Sequence, residues 1–202
     1  MSVRVTVDEA ALRDVEQRLG QFADKAPNAI VSALNRSVTN MSSNITKEVR
    51  QGYHIKASDV KATLKAFKAS RSKLEAQVKS SGKMIGTDKF KVSPKTVNPK
   101  RKSQLKIAVK KDGVKQVLGA FIVDLHGTKV FKRTGEKVYP TKGRYKGKGI
   151  RREKIERNFG PSVPQMIGND EVVQKINHKA FVTYETRLNH EINRILARVG
   201  AN

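Results

Sequence analysis

The chain has no cysteine and no tryptophan. Without thiols, disulfide frameworks, thiolate zinc sites, iron–sulfur clusters and cysteine nucleophiles are excluded together. Aromatic residues are 5% of the 202, too few to furnish the stacking platform on which single-stranded nucleic acid is held. Long apolar runs are missing as well. The longest, Ala120 to Val123, falls far short of the ~18–20 residues that a membrane-spanning helix needs. The opening MSVRVTVDEAALRD turns acidic by Asp8 and has no apolar core segment, so no secretory signal is expected and the chain is expected to fold in a cytoplasm.

Acidic residues are scarce: 18 Asp and Glu stand against 42 Lys and Arg, a formal net charge of +24. The excess is localised. Residues 1–52 and 161–202 each carry a net +1, whereas residues 53–111 carry +14 and residues 112–160 carry +8. A middle this basic repels itself in a compact chain unless a polyanion or an acidic partner surface screens it. Nucleic acid is one such partner and an acidic protein face is the other.

Local pattern predicts a mixed α and β chain. Val3, Val5 and Val7 alternate with polar residues as in a half-buried strand. Asp8 is placed to cap a helix carrying Leu12, Val15, Leu19 and Phe22. A second helix is expected to open at Pro27, to present Ile30, Leu34, Val38, Met41, Ile45 and Val49 on one face and Asn35, Ser43, Asn44 and Lys47 on the other, and to stop with Gly52 as its C′ residue. Ser58 and Asp59 suggest the cap of a third helix with Val60, Leu64 and Phe67 in register. Alternation then predicts strands at 74–78, 90–92 and 105–109. Asp112-Gly113 signals a two-residue hairpin, and Val117 to Leu125 reads as a central strand covered on both faces by the helices. Short strands are expected at Val130-Phe131 and at Ile155 to Phe159. Segments 93–104 and 140–152, rich in Pro, Gly, Ser and basic residues, read as exposed flexible loops. Asn169 is placed to cap a final helix with the stripe Val172, Ile176, Ala180, Tyr184, Leu188, Ile192, Leu196 and Val199, ended by Gly200. About 30 residues at 1.5 Å rise make a rod of roughly 45 Å. A rod of that length is expected to pack partly on its own sheet and partly on a neighbouring subunit. The fold class is therefore α+β: an antiparallel sheet packed with N-terminal helices and a long C-terminal helix, with flexible basic loops. Residues 1–202 are read as one domain, made of an N-terminal part (1–67), a basic β-rich part (68–160) and a closing segment with the last helix (161–202).

Catalytic constellations are not found. The four histidines show neither i,i+4 pairing nor HExxH, and GRYKGKG at 143–149 matches no phosphate-binding glycine loop. Residues 53–160 hold eight scattered acids, unlike a nuclease metal cluster; Asp124 beside His126 is the pair closest to one. No enzymatic activity, cofactor or metal is expected. Zinc-finger, RNP and basic-zipper patterns are absent too, so contact with DNA should be with the backbone and indifferent to sequence. The cations placed to make it are Lys100, Arg101 and Lys102 in one loop and Arg144, Lys146, Lys148, Arg151 and Arg152 in the other.

One segment is specific. Phe159-Gly-Pro-Ser-Val-Pro-Gln-Met precedes the last helix, with an Arg133-Thr-Gly135 turn upstream and Ala33-Leu-Asn-Arg36 on the second helix. Pro161 and Pro164 fix φ, so an extended lead-in is expected in which Ser162 and Val163 are not helical. The pattern resembles the phage minor tail protein Z family, the tail-completion proteins of long-tailed phages and prophages. Relative to that resemblance, Val138 to Arg152 is longer and more basic than expected. The resemblance implies a non-enzymatic virion protein at the head-proximal end of the tail, assembled in the host cytoplasm into a ring, with six copies expected. Tail tube, terminator or neck proteins and genomic DNA in the channel are the implied partners, and no membrane is. On this reading Gly160, Pro161, Ser162, Val163, Pro164, Gln165 and Met166, with Leu188 and Ile192 of the last helix, face a subunit or partner. The alternative is a sequence-independent RNA- or DNA-binding protein of the cytoplasm, which would act as a monomer.

Overall fold

A computed structural model describes residues 1–98, 100–124 and 126–199. In chain order they form β1 (Ser2–Thr6), α1 (Glu9–Leu19), a 3₁₀ turn (Gly20–Lys25), α2 (Ala26–Gly52), α3 (Ala57–Lys61), β2 (Leu64–Phe67) and β3 (Glu75–Ser80). There follow β4 (Ile85–Gly86), a 3₁₀ turn (Thr87–Lys89), β5 (Lys91–Ser93), β6 (Leu105–Ala108), β7 (Lys115–Val117) and β8 (Ala120–Asp124). The remainder is β9 (Thr128–Val138), β10 (Arg152–Arg157), β11 (Phe159–Gly160), α4 (Val163–Ile167) and α5 (Asp170–Val199). The fold is α+β with antiparallel sheets. Its residues gather into two compact units: residues 1–51, 57–82 and 163–202 in the first, 52–56 and 83–162 in the second.

The first unit is a helical layer on the sheet β1-β3-β2. Period-2 patterning sets the register: Val3 lies opposite Val78 and Val5 opposite Ala76, putting apolar side chains on one face. Asp8 accepts a hydrogen bond from the Ala11 amide at 2.8 Å and caps α1, as its position predicts. α2 buries Ile30, Leu34, Val38, Met41, Ile45 and Val49, each at about 1.5–3 kcal/mol of hydrophobic stabilisation. Its other side is less plainly polar than the sequence suggests. The Asn35 amide accepts from the Ala69 N–H at 2.8 Å and donates to the Ala69 carbonyl at 3.3 Å, pinning the β2–β3 connection. Gly52 is the last helical residue and has no left-handed φ.

α5 buries Ile176, Ala180, Tyr184, Leu188 and Ile192, while Leu196 is exposed. It lies against α1, β1 and α4. Two polar contacts tie it to α2: the Ser37 hydroxyl donates to the Ala180 carbonyl at 3.0 Å, and the Lys179 ammonium meets the buried Glu48 carboxylate. Burial, assisted by the charges of Asp8 and Glu185, pushes the Tyr184 phenol up to about 12. The expected helix stop, Gly200, and the Val199 side chain lie outside the described residues.

Three expectations are corrected here. Leu64 and Phe67 are in β2, not in a third helix, and Ser58 and Asp59 lie inside α3. The Thr63 amide and hydroxyl both donate to the Val60 carbonyl, closing the helix, and the free edge of β3 takes up the backbone that follows. Val117 to Leu125 is not one strand. Gly119, with φ of 68°, turns the chain and leaves Leu118 exposed, so β7 and β8 join different sheets. What covers Ile122 is a β core of Val92, Leu105, Ile107 and Val130, with Leu125 outside the described residues. Asp112-Gly113 does lie between the hairpin strands β6 and β7. Neither residue has positive φ, because Lys110 bridges to Tyr53 and the Lys111 amide donates to the Gly52 carbonyl, which spreads the turn over 109–114.

The second unit holds the sheets β5-β6-β7 and β10-β9-β8 and the pair β11-β4. Arg133-Thr134-Gly135 is not a turn but a bulge within β9, where the pairing shifts between Glu153 and Ile155.

Removing Lys179 strands a carboxylate that is 3% exposed. Lys179→Ala should therefore lose about 2–3 kcal/mol in denaturant unfolding and more than Glu48→Gln, which keeps a neutral acceptor in place. Equal losses would show that the pair carries no charge-specific role.

Candidate polyanion and docking surfaces

The basic excess belongs to one unit. Residues 52–56 and 83–162 hold 24 Lys and Arg against 6 Asp and Glu, a net of +18 out of the chain's +24. Five of those acids are already engaged. Asp88 pairs with Arg157 at 3.1 Å, Glu153 with Arg133 at 3.3 Å, and Glu136 and Glu156 with Lys154 at 3.4 and 3.2 Å. The hydrogen bond to Glu156, followed by the charge of Glu136, holds the Lys154 ammonium above its ordinary pKa. Asp124 accepts the Gly127 amide at 3.0 Å and so shapes the β8–β9 turn, in which His126 has φ of 52°. That turn gives the Asp124–His126 pair a structural explanation. Among the described residues no three His, Asp or Glu side chains gather as a metal site.

With five of the six acids engaged elsewhere, none of the loop cations pairs with a carboxylate among the described residues. Lys100, Arg101 and Lys102 lie in the β5–β6 connection, where the Lys100 amide donates to the Asn98 side chain at 3.0 Å. Arg101 differs from its neighbours, since its guanidinium donates to the Thr96 carbonyl and holds the loop's shape. Lys100 and Lys102 are exposed.

The β9–β10 connection carries the other five cations. It is ordered by more than glycine: Arg152 sits over the Tyr145 ring at 4.4 Å, Arg144 over the same ring at 5.8 Å, and Arg151 over Tyr139 at 5.2 Å. Sequence reading missed the two tyrosines, although their interleaving with arginine was the available signal. Lys146 and Lys148 are exposed, their amides donating to the Gly143 and Tyr145 carbonyls. The two basic groups thus sit on hairpins of different sheets.

The segment singled out from the sequence is part core and part surface. Phe159 and Gly160 form β11 opposite Gly86 and Ile85, with Phe159 44% exposed. Ser162 is buried, and Val163 and Met166 are fully so. Val163 is helical after all: it opens α4 with Pro164 in the first turn, where proline's missing N–H costs nothing. Phe159 and Gln165 of this segment are exposed, with Gly160, Pro161 and Pro164 partly covered. Leu188 and Ile192 likewise point into the first unit, 8% and 2% exposed. The apolar side chains that α5 leaves to solvent are Phe181, Val182 and Leu196.

Gly160 has a packing reason. A Cβ there would lie 2.8 Å from the ring of Phe90, which is itself buried. Gly160→Ala should destabilise the protein by about 1–3 kcal/mol in thermal or denaturant unfolding, and Phe90→Leu should recover part of that loss in the double variant. Strict additivity of the two changes would place the effect elsewhere.

In comparison with known proteins, the model of the prophage minor tail protein Z family matches residues 9–199. No curated protein and no solved structure matches the chain.

Proposed function

The chain belongs to the prophage minor tail protein Z family, which makes it a structural component of a phage tail, and from that premise we propose that it completes the head-proximal end of the tail tube and supports head–tail joining. The observation that carries this reading is the extent of the match, which takes in both compact units. A tube built on sixfold rings would seat six copies as a closed ring, against the tube on one side and terminator or neck proteins on the other. The cations of the two long hairpin loops support contact with the genome in the channel. Among the described residues none of them pairs with a carboxylate, and they stand on loops that the core does not need.

Charge limits that contact. Six copies would carry 144 net positive charges, whereas a duplex crossing a ring about 40 Å thick presents about 24 phosphates at one per ~1.7 Å. Only a subset of the cations meets DNA, and the rest face solvent or acidic proteins.

Lysates of a phage lacking the chain should contain filled heads and separate tails by electron microscopy, and supplying the protein should restore joined particles with a sixfold ring at the junction. Normal joined virions without it would overturn the assignment. Replacing Arg144, Lys146, Lys148, Arg151 and Arg152 by Gln should leave the thermal unfolding profile in place and flatten the salt dependence of duplex binding. The slope should fall by about 0.9 for each cation that meets a phosphate. An unchanged slope removes this loop from the DNA contact.

A further inference from the structure

A cleft of about 850 Å³ opens within the second unit, along the β6–β7 hairpin. Its lining includes Ile107 and Val109 from one arm and Lys115 and Val117 from the other, alternate residues that share a face of the sheet. Phe159 and Lys132 line it as well. Val114, 63% exposed, and Phe159, 44% exposed, leave its apolar surface open to solvent. β7 is an edge strand, with β6 as its one partner among the described residues. Lys110, Lys115 and Lys132 line the same cleft, and none of them makes an ion pair among the described residues; Asp112 is the one acid in the lining.

We propose that this cleft is the docking site for an extended acidic segment of a partner protein, with apolar side chains on the partly exposed Val109 and Val117 and carboxylates on Lys110, Lys115 and Lys132. The charge pattern chooses an anion. The aliphatic floor then chooses protein over nucleic acid, because a phosphate backbone would leave Val109 and Val117 uncovered. An extended occupant fits a lining that runs along both arms of a hairpin, where its carboxylates reach the exposed lysine heads while its apolar side chains cover the valines between them. This goes beyond the tail role and does not depend on which end of the tail the chain occupies.

The test uses the full chain and a fluorescein-labelled octapeptide of alternating Glu and Val, read by anisotropy. Saturable binding is expected, weakened at least tenfold when Ser replaces Val in the peptide and at least tenfold in the Lys110→Gln, Lys115→Gln, Lys132→Gln triple variant. Lys100→Gln, Lys102→Gln serves as the control for general charge loss and should change affinity less than twofold. These are exposed positions, so thermal unfolding should match the wild type for every variant. Equal binding of the Ser peptide, equal weakening in the control variant, or displacement of the peptide by a short duplex as effectively as by unlabelled peptide would each overturn the proposal.

Discussion

The buried face of α2 is the constraint on which the first unit depends. From Ile30 to Val49 its apolar stripe has no solvent-exposed alternative, and each neighbour is fixed to it by a polar contact that works only in one register. Ser37 takes a carbonyl of α5, Glu48 takes Lys179, and Asn35 holds both backbone groups of Ala69. A shift of α5 by one turn would misplace the Ser37 and Glu48 contacts together. Hydrophobic burial supplies most of the stabilisation, while the buried polar groups set which of several similar packings is adopted, because leaving any of them unpaired is costly.

The second unit is organised by charge balance as much as by its core. Its few acids are placed where they fix backbone geometry: Glu153 binds Arg133 and the Gly135 amide at the β9 bulge, and Asp124 shapes a turn. Asp88 holds Arg157 beside Gly86, where a side chain would meet the guanidinium. These acids are not free to neutralise the long loops. An uncompensated positive surface repels its like until an anion screens it.

Arginine stacking on Tyr139 and Tyr145 gives the β9–β10 loop a defined shape without a core. Aromatic faces hold the guanidinium planes while the lysines between them stay exposed. Such a surface offers point charges rather than paired donors aimed at base edges.

Sequence alone determined the features that rest on local periodicity and composition. These include the α1 cap at Asp8, the α2 and α5 stripes, the β1–β3 alternation, the two exposed basic loops, and, through the FGPSVPQM segment, the family. Helix and strand periods are properties of a dozen neighbouring residues and need no tertiary information. Tertiary structure decided what depends on partners distant in the chain. The edge of β3 drew Leu64 to Phe67 out of a helix, and Gly119 split an apolar run between two sheets. The β9–β10 pairing turned Arg133-Thr134-Gly135 from a turn into a bulge, and the Phe90 ring made Gly160 indispensable to packing. Leu188, Ile192, Val163 and Met166 follow the same logic: an apolar residue on a helix must be covered, and the sequence does not say whether its own chain or another supplies the cover. In this fold its own chain does, which leaves the open cleft of the second unit and the loop cations as the surfaces free to meet something else.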